Sequence, residues 1–139
     1  MRHILTAACF AMTTTQAVAL SCTPPDIAQS YLWADQSEAQ ITILQGQISF
    51  DDSALTDKQK HEGIVLPGRF TGVRLGPNGT SDTFSRDISV SVGCAGPWCG
   101  YVSNAPDVIS FVEVTQDGLS IAGDPCGGLQ FSANDPVVV

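Results

Sequence analysis

The alternation of apolar and polar residues predicts a chain made mainly of β-strands. The clearest strand is 84–94, in which Ile88, Val90, Val92 and Cys94 point one way and polar or small residues point the other. Four more strands are predicted, at 41–50, 69–75, 108–115 and 119–122. The dipeptide Asp117-Gly118 is a hairpin signal between the last two of them.

The first strand carries a second pattern within it. Ile41 and Ile43 occupy odd positions, whereas Leu44 and Ile48 occupy even ones, so we predict a bulge or sharp bend beside Gly46. A strand bent in this way can belong to two sheets at once, as the first strand of a small barrel does. Five strands favour a five-stranded Greek-key barrel of the OB type over a β-sandwich, which usually has about seven.

The remaining segments predict one helix and several loops. Pro24-Pro25-Asp26 suits the start of a helix over about 25–39, with Ile27, Tyr31 and Leu32 on one face. The polar stretch 51–63 is predicted to be a loop. The apolar tail 137–139 is expected to pair as a short strand or to fray. The fold class is therefore mainly β: a five-stranded OB-like barrel with one N-terminal helix, stabilised by disulfides.

The N-terminus has the features of an export signal. A short apolar run ends in Ala17-Val18-Ala19, a triplet of the kind that signal peptidase accepts. We therefore predict a signal peptide at 1–19 and a single domain at 20–139, in the periplasm or secreted. Two alternatives stay open: cleavage directly before Cys22, and lipidation of Cys22, which alone would bring the chain to a membrane.

Four cysteines remain after the predicted cleavage, and export favours their oxidation. They are Cys22, Cys94, Cys99 and Cys126. One pairing joins Cys94 to Cys99 across a short Gly/Pro loop and leaves Cys22 for Cys126. The other joins Cys22 to Cys99 and Cys94 to Cys126. We favour the first, and the second stays open.

The charge balance excludes one class of partner. The full chain has a net charge of −8, and removal of 1–19 takes away Arg2 and no carboxylate. A nucleic-acid-binding protein needs a basic stripe to neutralise phosphates, and the sequence has none. The expected partner is a protein or a small molecule.

Several short motifs resemble netrin-like domains, the group that includes the tissue inhibitors of metalloproteinases. They are Cys22-Thr23-Pro24-Pro25, Ala34-Asp35, Gln45-Gly46-Gln47-Ile48, Cys99-Gly100, the extended segment 109–114, and Asp117-Gly118 with the strand that runs to Cys126. The resemblance implies an OB fold and a bond from Cys22 near Cys99 or Cys126. It also implies chelation of a protease zinc by a free N-terminal Cys22, although the second cysteine of the family motif is replaced here by Pro24. The chain also resembles uncharacterised exported proteins of marine α-proteobacteria, which implies no particular activity.

No catalytic, cofactor or metal site is predicted. Four residues separate Cys94 from Cys99, whereas redox motifs place two between their cysteines. His61, the one histidine after the predicted cleavage site, lies in a charged loop. The carboxylates at 51, 52 and 57 lack the glycine and the closing glutamate of an EF-hand loop.

The leading interpretation is an exported, non-enzymatic binding module whose ligand the sequence does not identify. Its expected binding ridge consists of Cys22, Thr23, Pro24 and Trp98, and Trp33 is a further aromatic of interest. The alternatives are a metalloprotease inhibitor of netrin-like type and a thiol-active periplasmic protein.

Overall fold

The computed structural model describes residues 21–58, 63–79 and 81–135. Its elements, in chain order, are α1 (Ile27–Gln36), β1 (Ile41–Phe50), α2 (Ser53–Lys58), β2 (Ile64–Leu75), a 3-10 turn (Pro77–Gly79), β3 (Ser81–Val92), β4 (Cys94–Ala95), β5 (Trp98–Cys99), β6 (Val108–Thr115), β7 (Gly118–Gly123) and β8 (Gln130–Ser132). The predicted signal peptide, His61 and the tail 137–139 lie outside the described residues. Among the described residues, no helix has the length and apolar character needed to cross a membrane.

Five strands close into a barrel in the order β1-β2-β3-β7-β6, and β6 pairs again with β1. Neighbouring barrel strands are antiparallel except β3 and β7, which run parallel over residues 88–92 and 119–123. This connectivity, with a parallel contact between the third and the last barrel strand, is that of the OB fold, and the predicted fold class is confirmed. Outside the barrel, β8 pairs with β6, while β4 and β5 form a separate hairpin.

β2 begins at Ile64, five residues before the start that the sequence pattern predicts. The pattern is interrupted by Pro67, a residue that cannot donate a hydrogen bond to a neighbouring strand. The pairing of β2 with β1 ends at Gly68, so Pro67 has a strand on one side only, where it lies opposite Ser89 of β3. A proline is tolerated at such an edge position, and the strand continues through it.

β1 pairs with two neighbouring strands, and its register with each of them is uninterrupted. Residues 43–50 pair with β2, residues 41–46 pair with β6, and neither register skips a residue. Of the two predicted alternatives beside Gly46, a bulge or a sharp bend, the bulge is therefore wrong, since a bulge sets two residues opposite one. Leu44 lies in the barrel core, whereas Ile41 and Ile43 join an apolar cluster outside the barrel. The first strand was predicted to belong to two sheets at once, as in a small barrel; β1 does pair with both β2 and β6, within one closed sheet.

The barrel interior is filled by one apolar core, to which a helix also contributes. Fully buried members include Leu44, Ile48, Phe70, Val90, Val112 and Ile121. Leu55 of α2 belongs to the same core and is 8% exposed. The prediction of a loop over the whole of 51–63 is therefore wrong at 53–58, because Leu55 supplies an apolar anchor that holds a short helix against the barrel.

Two glycines make room for the largest side chain of this core. Gly46 and Gly72 lie opposite each other on β1 and β2. A Cβ on Gly72 would lie 2.8 Å from the Cα of Gly46 and 2.8 Å from the ring of Phe70. The absence of side chains at both positions lets the Phe70 ring lie across the strand pair inside the barrel.

A second cluster fixes α1 against the outside of the barrel. Ile27 packs with Ile109 and Phe111 of β6. Asp26 begins the helix, because its side chain accepts a hydrogen bond from the backbone N–H of Ala28 at 2.8 Å. The helix ends at Gln36, three residues before the predicted end.

Candidate binding surface

The two disulfides lie at the same end of the barrel. Cys22 is bonded to Cys126, which follows β7, and Cys94 is bonded to Cys99 across the β4–β5 hairpin, which follows β3. Because β3 and β7 run parallel, their C-terminal ends lie together. This is the first of the two pairings that the sequence leaves open, and we call this end of the barrel the clamped end.

Backbone contacts hold the β4–β5 hairpin to the clamped end independently of its disulfide. The N–H of Gly93 donates to the carbonyl of Gly123 at 3.1 Å, and the N–H of Gly100 donates to the carbonyl of Gly93 at 2.7 Å. Gly100 lies so close to the carbonyl of Gly123 that a Cβ would overlap it. The hairpin therefore packs backbone against backbone on the end of β7.

A groove of about 650 Å³ runs between the start of α1 and the segment 124–129. Its lining contains two prolines, two glycines and one aromatic ring. The lining residues are Thr23, Pro24, Pro25, Asp26, Gln29, Ser30, Trp33, Asp124, Gly127, Gly128 and Leu129. The Ser30 hydroxyl donates to the carbonyl of Gly128 at 2.6 Å, and the Cys22–Cys126 bond joins the two walls. The groove is thus a preformed feature of the fold.

A second groove, of about 380 Å³, lies on the other side of segment 124–129. Cys99, Tyr101 and Cys126 contribute to its lining, and Tyr101 is 69% exposed. Pro25 and the 124–129 segment line both grooves, so the two are neighbours on one surface.

The predicted ridge is only partly assembled. Thr23 and Pro24 line the first groove, and Cys22 anchors that segment through its disulfide. Trp98 is 47% exposed on the β4–β5 hairpin but lines neither groove, although its neighbour Cys99 lines the second.

The outer surface of α1 presents three consecutive large apolar residues. Tyr31, Leu32 and Trp33 are 42%, 52% and 46% exposed. The sequence placed Tyr31 and Leu32 on the same face as Ile27. Tyr31 does meet Phe111 edge-on, with ring centroids 5.1 Å apart, but Leu32 turns outward, because neighbouring residues of a helix are about 100° apart. The sequence signal for this surface is the run of three apolar side chains itself.

The acidic side chains Asp124 and Asp51, near the clamped end, accept hydrogen bonds within local turns. Asp124 accepts a hydrogen bond from the N–H of Cys126 at 2.8 Å. Before α2, the Ser53 hydroxyl donates to Asp51 at 2.6 Å, and this bond, with the Ser53 N–H, holds the pKa of that carboxyl below its ordinary value. Among the described residues, no group of three or more His, Cys, Asp and Glu side chains is placed to hold a metal ion.

Comparison with known proteins found no matching family model, no matching curated protein and no matching solved structure. What the structure establishes is a small, disulfide-bonded, five-stranded β-barrel with a short N-terminal helix. Two disulfides are typical of an oxidising, extracytoplasmic compartment.

Proposed function

We propose that the protein is a non-enzymatic binding module of an extracytoplasmic compartment, and that a partner protein docks on α1 and the adjoining groove. The observation that carries the proposal is the half-exposed run Tyr31, Leu32 and Trp33. Three large apolar side chains left half-exposed on one short helix exceed the singly scattered apolar residues that are normal on a protein surface.

The groove beside α1 supports the same proposal. Trp33 lies in its wall, and a tryptophan beside a preformed pocket is the side chain that most often dominates the free energy of a protein interface. Because the walls are joined by a disulfide and by the Ser30–Gly128 hydrogen bond, little ordering is needed on binding. The exposed apolar side chains on the adjoining helix favour a protein over a small molecule as the occupant.

Site-specific photocrosslinking in the native compartment tests the proposal. A photoreactive aromatic residue replaces Trp33, and in the control it replaces Ser85, which is exposed on β3. We expect a discrete adduct from position 33 and none from position 85. The purified partner should then bind the Leu32→Ala/Trp33→Ala variant at least about tenfold more weakly, and Val65→Ala, a change at a 67% exposed residue elsewhere, with nearly unchanged affinity.

Three results would contradict the proposal. The first is an equal adduct, or none, at the two positions. The second is the same loss of affinity in Val65→Ala as in the α1 variant. The third is an adduct that consists only of a second copy of this chain, since that would make the α1 surface a self-association face.

Inhibition of a metalloprotease is a second candidate, favoured by the exposure of the Cys22–Thr23 segment beside a rigid barrel end. It requires a mature N-terminus at Cys22, whose amine and carbonyl would chelate the zinc. Intact-mass measurement of the secreted protein decides this point: a mature chain that begins at Leu20 rules the mechanism out. The thiol-active alternative stays a prediction, and resistance of Cys94–Cys99 to mild reduction would argue against it.

A further inference from the structure

The end of the barrel opposite the disulfides carries a different kind of cavity. It lies where β1 and β7 begin and β2 and β6 end, has a volume of about 480 Å³, and is lined mainly by Gln40, Thr42, Arg74, Phe84, Arg86 and Asp87. We call it the mouth. Its volume falls within the range of small-molecule sites, which runs from about 300 to 1,000 Å³.

Two positive charges of this acidic chain lie at the mouth. All three arginines of the described residues lie on β2 and β3, and two of them, Arg74 and Arg86, line the cavity. The third, Arg69, has the opposite parity on β2 to the buried Phe70 and pairs on the outer face with Asp87 at 2.7 Å. Arg74 has the same parity as Phe70, and Arg86 the same parity as the buried Ile88, so both belong to the inward face of the strand pair.

The two mouth arginines flank one aromatic ring. The guanidinium carbon of Arg74 lies 5.8 Å from the centroid of Phe84, and that of Arg86 lies 5.9 Å from it. Arg74 is paired with Asp82 at 3.3 Å. Arg86 has neither an ion pair nor a hydrogen bond to any residue in the described part of the chain. Asp82 already balances the charge of Arg74, so a bound anion would mainly supply the counter-charge that Arg86 lacks among the described residues.

We propose that the mouth binds a small organic carboxylate, with the carboxylate between Arg74 and Arg86 and an apolar body against Phe84. Guanidinium groups bind carboxylates through paired, charge-assisted hydrogen bonds, which makes arginine suited to this ligand. Val114 and Leu119, also in the lining, extend the apolar wall.

The surroundings of the mouth favour a single small anion over a polyanion. Asp82 and Asp87 lie beside the two arginines, and the chain as a whole carries a net charge of −8. An extended polyanion would meet these charges along its whole length, whereas one small carboxylate meets fewer of them. The expected ligand is therefore a monocarboxylate with an aromatic or branched aliphatic body.

Amide-detected NMR titration with phenylacetate tests the proposal, at concentrations up to about 10 mM, which detect dissociation constants near 1 mM. We expect the amides of 74 and 84–86 to shift. Phenylacetamide, which lacks the charge, and acetate, which lacks the ring, should each bind at least about tenfold more weakly. Inorganic sulfate tests whether any anion suffices.

Arg86→Gln and Arg69→Gln each remove one charge from the same two strands. Arg86 lines the mouth itself, whereas Arg69 is connected to it only through its partner Asp87. We expect about a tenfold or greater loss of phenylacetate affinity in Arg86→Gln and less than about a twofold change in Arg69→Gln. The wild-type-like amide spectrum of each variant verifies its fold. Absence of shifts at the mouth, equal binding of sulfate, or equal losses in both variants would overturn the proposal.

Discussion

The two disulfides differ greatly in the length of chain that they close, which predicts unequal contributions to stability. Cys22 and Cys126 are 104 residues apart in the sequence, whereas Cys94 and Cys99 are five apart. In the chain-entropy description, a bond that closes about 100 residues destabilises the unfolded state by about 4.7 kcal/mol. The same relation gives about 2 kcal/mol for a loop of about six residues.

The folded state makes the difference larger. The β4–β5 hairpin keeps its backbone hydrogen bonds from Gly93 and Gly100 when its disulfide is absent. The segment before α1 has no comparable backbone hydrogen bond to the barrel among those described, and the Ser30–Gly128 bond to segment 124–129 is made by α1 itself. We therefore expect Cys22→Ala/Cys126→Ala to lower the free energy of unfolding by at least about 2 kcal/mol more than Cys94→Ala/Cys99→Ala.

Urea denaturation of the two double variants and of the oxidised wild type measures this difference. The slopes of the transitions report whether the denatured states remain comparable. Equal losses in the two variants, or a larger loss in Cys94→Ala/Cys99→Ala, would refute the reasoning. That result would mean that the hairpin bond stabilises the native state directly rather than by restricting the unfolded chain.

Three further changes test the core and the turns. Leu44→Ala empties a fully buried site in the barrel, and urea denaturation should show a loss of about 3 kcal/mol, against less than about 0.5 kcal/mol for Val65→Ala. Gly100→Ala places a Cβ on the carbonyl of Gly123 at the end of β7, so the midpoint temperature of thermal unfolding should fall. An unchanged midpoint would show that the β4–β5 hairpin can shift away from β7 without cost. In Ser53→Ala, an NMR titration should show the pKa of Asp51 raised toward its ordinary value of 3.8. Because folding lowers this pKa, its contribution to stability is present above the unfolded pKa and is lost as the pH falls through the folded one.

Strand alternation predicted most of the barrel because each barrel strand has one face in a single apolar core. The alternation gave a wrong prediction where the outer face of a strand is also covered by other residues. In β1, Ile41 and Ile43 are apolar because they pack outside the barrel, next to α1, and not because the strand slips in phase. A single sequence does not separate these causes, since both place apolar residues at odd and even positions.

The elements missed by the sequence depend on long-range contacts. α2 is short and polar, and Leu55 makes it part of the barrel core only once the barrel has closed. β8 follows two glycines and pairs with β6, so its three residues become a strand because a partner edge is available. The local periodicity of apolar residues predicts neither of these contacts.

The candidate surface was predictable only in part, for a similar reason. The predicted disulfides implied that Cys22, Thr23 and Pro24 lie near one end of the barrel. In the structure, Thr23 and Pro24 line a groove at that end. Trp33 joins that groove because α1 packs on β6, and Trp98 stays out of it because the β4–β5 hairpin is fixed on the end of β7. Aromatic residues identified by type alone could not be assigned to a shared surface without these packing contacts.

The parallel contact between β3 and β7 explains why the two candidate sites differ in character. It brings the C-terminal ends of both strands to the clamped end. There, disulfides, glycine contacts and α1 hold the groove between α1 and segment 124–129 in one shape. At the other end, β3 pairs with β7 only from Ile88 onward, so residues 81–87 have β2 as their sole strand partner among the described residues. Arg86 therefore lies on a part of β3 that pairs with β2 alone, whereas Arg74 is paired with both β1 and β3. A rigid apolar surface suits docking of a preformed partner, whereas two arginines beside one aromatic ring suit a small anion with an apolar body.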